Sequence, residues 1–149
     1  MTRIGILASW LGGGALIFAC LANTLAVIGH HVGLPLHGAI ELVQAGILVA
    51  GSVALVMATA NHSHARVRVL IDRLPPAGQA VAGRLAALAS FGFFAALLAG
   101  GIWVAWDLWP VHEVSEVLGI PWAGLRIFAN VAFLLGALLC ARNCVAKRQ

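Results

Sequence analysis

Polar residues are sparse along this chain, and most of them fall between long apolar runs. Four such runs stand out, over about residues 4–28, 36–60, 85–106 and 121–141. Each reaches about 20 residues or more, enough to cross a hydrocarbon core about 30 Å thick as a helix. Helices satisfy their own backbone polar groups, which lipid cannot do. The pattern therefore predicts an all-α membrane protein with four transmembrane helices, forming a single integral membrane domain over residues 1–149. Trp10, Trp103, Trp106, Trp109 and Trp122 mostly sit near run ends, where interfacial anchors belong. The first run is longer than the roughly 7–15 residues of a cleaved signal core, so it is read as a retained helix. Ile17-Phe18-Ala19-Cys20 is similar to a lipoprotein cleavage site, but the apolar run continues past it.

One segment between the second and third runs has a different pattern. In His64–Pro76, Val67, Leu70, Ile71 and Leu74 recur at i, i+3, i+4 and i+7, one apolar face of a helix. Arg66 and Arg73 lie on the other face, Arg68 and Asp72 have i, i+4 spacing, and Pro75-Pro76 ends the element. The expectation is a short amphipathic helix over about residues 64–76 on the cytoplasmic membrane surface, its arginines near anionic headgroups. The alternation Ala65-Arg66-Val67-Arg68-Val69 also suits a strand, but a lone strand there would leave its edges unpaired. An ordinary basic loop is the plainer alternative.

Composition agrees with a lipid solvent. Of 149 residues, 62% are hydrophobic and 9% charged, and the mean hydropathy is +0.99. A soluble domain carries about 25% charged residues. The net charge of +4 is then read as membrane orientation, not as a nucleic-acid footprint. Arg3, Arg66, Arg68, Arg73, Arg84, Arg142, Lys147 and Arg148 mark the termini and the middle connection as cytoplasmic. The connections 29–35 and 107–120 hold no Lys or Arg, and the second carries Asp107, Glu113 and Glu116. Four crossings return the chain to its starting side, so span count and charge agree on a multi-pass protein with both termini inside.

Polar groups within spans are costly and usually face protein. Glu41 and Arg126 each lie about five residues into their runs from the outer side, about 8 Å deep at 1.5 Å per residue. They are expected to form an ion pair between the second and fourth spans. Gln44 shares a helix face with Glu41, Asn130 shares one with Arg126, and Asn23 lies at a depth similar to Gln44. Together these five residues form an expected intramembrane polar cluster. Gly12-Gly13-Gly14, Gly46, Ala50, Ala96, Gly100 and Gly101 would let helices approach closely.

Candidate chemistry is thin. His30, His31, His37, His62, His64 and His112 all lie at or near span ends, which does not suit bis-histidine haem ligation inside a bundle. The outer histidines with Glu113 or Glu116 offer zinc-type donors, but no tight metal motif joins them. Cys140 and Cys144 lie near the cytoplasmic end of the fourth run, where thiols stay reduced. No phosphate loop, dinucleotide fingerprint or catalytic triad is present. The expectation is a non-enzyme with no catalytic residues, metal or cofactor of its own. The rival readings are a stand-alone four-helix membrane protein with a metal or haem redox role, and a general assembly factor.

Three stretches resemble the small permease subunit of tripartite ATP-independent periplasmic (TRAP) transporters. They are Gly33-Leu-Pro-Leu-His-Gly-Ala-Ile-Glu-Leu42, the basic segment His64–Pro76, and Ser115-Glu-Val-Leu-Gly-Ile-Pro121. Their order and spacing around four spans carries more weight than any one of them. The resemblance covers about Val27 to Arg142. The chain departs from it at His30 and His31, where the family often has Arg, and at Arg68, where it often has Asp. The resemblance implies a static scaffold in the bacterial inner membrane beside a large permease subunit. That partner would import a substrate, often an organic acid, coupled to sodium, and a periplasmic binding protein would deliver it. The substrate site is expected in the partner. Residues 29–36 and 107–120 become candidate docking surfaces, with Asp107, His112, Glu113 and Glu116 facing the binding protein. Arg66, Arg68, Arg73 and Arg84 become candidate lipid contacts, and no nucleic acid is expected.

Overall fold

The computed structural model describes residues 3–61, 75–109 and 113–146. Four helices account for nearly all of them: α1 (Arg3–Val32), α2 (Ala39–Ala60), α3 (Pro76–Asp107) and α4 (Trp122–Ala146). All four are long and apolar enough to cross a membrane. The expected amphipathic helix, with Arg66, Arg68 and Arg73, lies outside the described residues.

Helix ends follow local chemistry. Gly33, at φ 78°, ends α1. Leu34 N–H reaches back to the Gly29 carbonyl at 2.8 Å, and Gly33 N–H to that of His30 at 3.4 Å. This is a Schellman stop, and Pro35 prevents the helix from resuming. Gly38, at φ 80°, precedes α2, so residues 33–38 form a turn and the helix starts at Ala39, not at residue 36. Glu41 consequently sits in the first turn of α2, shallower than the run boundary suggests. At the start of α3, Pro76 occupies the first turn, where a missing N–H is harmless. That helix begins nine residues before the expected span, which puts Arg84 on α3 instead of in a loop.

The helices form an open row. Among the described residues, α1 packs on α2, α2 on α4, and α4 on α3. The spatial order is therefore α1–α2–α4–α3, with α1 and α3 as the two flanks. Small residues make the contacts, as expected where apolar burial cannot drive helices together in lipid. Gly46 of α2 faces Ala15 and Ala19 of α1, and a Cβ there would come within 2.9 Å of the Ala19 Cβ. At the other end of the row, Phe94 of α3 is buried over Gly136 of α4. Ala137, Cys140, Leu55 and Phe133 close around it. Ser9, Thr24, Thr59 and Ser90 return their hydroxyls to carbonyls four residues back, at 2.8–2.9 Å. These hydroxyls therefore need no partner from the lipid.

Large apolar side chains remain outside. Leu7, Trp10, Ile17 and Leu25 on α1, and Leu88, Trp103 and Trp106 on α3, are all exposed. A water-soluble monomer does not show apolar surface on this scale. The chain is a multi-pass membrane protein, and its surface is built for lipid and protein neighbours.

Candidate functional site

The polar residues gather where the α1–α2 turn meets the α3–α4 connection. Glu113–Pro121 folds there into a compact strap. Val114 and Pro121 form an isolated antiparallel bridge. Ser115 N–H donates to the Ile120 carbonyl at 2.9 Å, and Ile120 N–H donates back to Ser115 Oγ at 2.9 Å. Ser115 is buried, and Gly119, at φ 66°, makes the reversal possible.

Two charged residues hold the strap to the helices. Glu41 of α2 accepts Val117 N–H at 3.0 Å on one carboxylate oxygen and Leu118 N–H at 2.9 Å on the other. Leu118 then rests against Gly38, where a Cβ would stand 2.7 Å from its Cγ. On the other side, Arg126 of α4 forms a salt bridge with Glu113 at the start of the strap. The expected Glu41–Arg126 pair is therefore replaced by two separate anchors. The reason is local: Glu41 lies in the first turn of α2, within reach of loop N–H groups, and Glu113 is brought over Arg126 by the strap.

The wider polar cluster is not assembled either. Among the described residues, no hydrogen bond joins Asn23, Gln44 and Asn130. Asn23 and Gln44 are exposed on α1 and α2. Asn130 turns toward α3, its amide lying where a side chain at Gly101 would be. Its buried Oδ1 has no hydrogen-bond partner among the described residues. Asp107 is the last residue of α3, and it and Glu116 are exposed. Arg84 is exposed toward the opposite end of α3, and His112 lies outside the described residues. Two features escaped sequence reasoning: the use of Glu41 as a clamp for backbone N–H groups, and the role of Glu113 as the counter-ion of Arg126. Gly38 and Gly119 were the available signals, since each marks a turn beside the clamp.

Between strap and turn lies an open recess of about 720 Å³. It is lined by Glu41, Gln44, Glu113 and Glu116 together with apolar side chains such as Leu36 and Trp122. No group of three or more His, Cys, Asp or Glu side chains converges to hold a metal among the described residues. The site presents an acidic surface lined also by His30 and Ser115.

Comparison with known families identifies the chain. Residues 8–149 match the DctQ component of the tripartite ATP-independent periplasmic transporters. The chain belongs to the DctQ family. A match over nearly the whole length agrees with the four spans and with the earlier resemblance of Gly33–Leu42, His64–Pro76 and Ser115–Pro121. This DctQ chain is thus a component of a membrane transporter and not an enzyme. Comparison with curated individual proteins finds no match.

Proposed function

We propose that this chain is the small scaffold subunit of a TRAP-type secondary transporter. In this reading it supports a large permease subunit that imports an organic acid with sodium, fed by a periplasmic binding protein. The observation that carries the reading is the open row of helices in a DctQ chain. Two inner helices, α2 and α4, are packed on both sides, while the flanking helices α1 and α3 leave broad apolar faces for lipid and a larger partner. Sodium and substrate would be handled in that partner, so this chain needs no cofactor.

The charge distribution supports an inner-membrane orientation with both termini cytoplasmic. The strap and the α1–α2 turn then face the periplasm, where they offer a docking surface. Arg66, Arg68, Arg73 and Arg84 would lie toward the cytoplasmic leaflet and its anionic headgroups. Removal of this chain from cells that keep the large subunit and the binding protein is expected to abolish substrate uptake, and its return on a plasmid to restore it. Undiminished uptake without the chain would refute the scaffold role.

A further inference from the structure

We propose that the recess between the strap and the α1–α2 turn receives a basic side chain of the periplasmic binding protein. This rests on the docking role proposed above and narrows it to one place and one chemistry.

Three carboxylates line the recess, those of Glu41, Glu113 and Glu116, with the imidazole of His30 and no Lys or Arg. Their charges are met unequally. Arg126 neutralises Glu113. Glu41 is met by neutral donors of the strap, the N–H groups of Val117 and Leu118 and the Ser115 hydroxyl, and by no cation among the described residues. Glu116 is exposed and has no ion pair among the described residues. Among the described residues at this end of the molecule, Glu41, Asp107, Glu113 and Glu116 stand against Arg126 and the imidazoles of His30, His31 and His37. Excess negative charge thus sits in a concavity with apolar walls, the arrangement that concentrates a field and steers a cation.

The form of the recess selects the kind of cation. A bare metal ion needs several ligands converging at about 2–2.6 Å, and among the described residues no such group of three exists. A lysine or arginine instead needs apolar walls for its stem and a carboxylate for its head. Leu36 and Trp122 supply the walls, and Glu41 and Glu116 supply the charge. The strap is already closed by its own hydrogen bonds and by Glu41, so little ordering is left for binding to bear.

The test uses the chain with its large subunit in lipid nanodiscs and the binding protein of the same transporter as the probe. Binding to the wild type is expected to weaken as salt rises. Glu116→Gln should weaken it by about fivefold, the upper range for an exposed pair. Glu116→Lys should weaken it further, mainly through slower association. Asp107→Asn, outside the recess, should have a smaller effect than Glu116→Gln. A Lys or Arg→Glu change on the binding protein that restores affinity to Glu116→Lys would identify the inserted side chain. Unchanged affinity in Glu116→Lys, or an equal loss in Asp107→Asn, overturns the recess while leaving docking intact. Absence of any binding to the wild-type complex overturns the docking role itself, and the recess proposal with it.

Discussion

Arg126 on α4 pairs with Glu113, thirteen residues earlier in the chain, and leaves Glu41 to the backbone of the strap. The pair closes the base of the α3–α4 connection onto the helix that follows it. Its side chains are 22% and 38% exposed, so its worth falls between that of a surface pair and a buried one. Arg126→Leu is therefore expected to lower stability by about 1–2 kcal/mol. Adding Glu113→Leu should recover part of the loss, because no uncompensated carboxylate remains. Adding Glu41→Leu should make it worse. Folded yield after detergent extraction, or thermal unfolding of the purified chain, separates these outcomes. Recovery with Glu41→Leu in place of Glu113→Leu would contradict the pairing.

Glu41 acts through the two N–H groups it accepts. Glu41→Ala removes both acceptors at once, whereas Glu41→Gln keeps one carbonyl oxygen. Amide hydrogen exchange is expected to quicken at Val117 and Leu118 in Glu41→Ala and to quicken less in Glu41→Gln. Ile120 should change less, because its N–H donates to Ser115 Oγ and reaches Glu41 only through that hydroxyl. Equal changes across the whole strap would mean that Glu41 stabilises α2 generally and does not clamp the loop.

The Asn130 amide of α4 fills the space that a side chain at Gly101 of α3 would take. A methyl group at Gly101 would collide with the Asn130 amide. Gly101→Ala should therefore destabilise the chain by about 1–3 kcal/mol, the usual cost of overpacking. Asn130→Ala alone should cost little, because the buried Oδ1 makes no hydrogen bond that would be lost. Combined with Gly101→Ala, it should relieve the collision. Thermal unfolding of the three variants tests this, and a double variant no better than Gly101→Ala would contradict it.

Gly38 serves both backbone and packing. Its φ of 80° and the nearness of Leu118 each oppose a Cβ. Gly38→Ala should loosen the strap, and Leu118→Ala should relieve only the steric part. Limited proteolysis between Glu113 and Pro121 is the direct measure, with faster cleavage expected in Gly38→Ala and partial protection in the double variant.

Much of the architecture was legible in the sequence because lipid imposes long unbroken apolar helices. The end of α1 was less so: the helix continues to Val32, past the expected end at about residue 28, and stops at Gly33. Two helix starts also differed: Gly38 moved the start of α2 inward, and the Ala- and Gly-rich stretch after Pro76 continued as helix past the charged Arg84. The site was legible only as a set of residues. Glu41 and Arg126 were recognisable because charge is costly near lipid, but spacing pointed to each other as partners. Glu41 instead binds backbone N–H groups 76 and 77 residues away. Such donors exist at every non-proline position and leave no mark in sequence. The turn of Asn130 toward Gly101 was equally hidden, because its expected face followed from Arg126 one turn away.

The scaffold reading rests finally on the partner. Extraction of the tagged chain from its native membrane in mild detergent, with mass spectrometry of what accompanies it, asks the question most directly. The account predicts a large polytopic permease at about one copy per chain. Recovery of the chain alone, in a detergent shown to preserve such complexes, would contradict it.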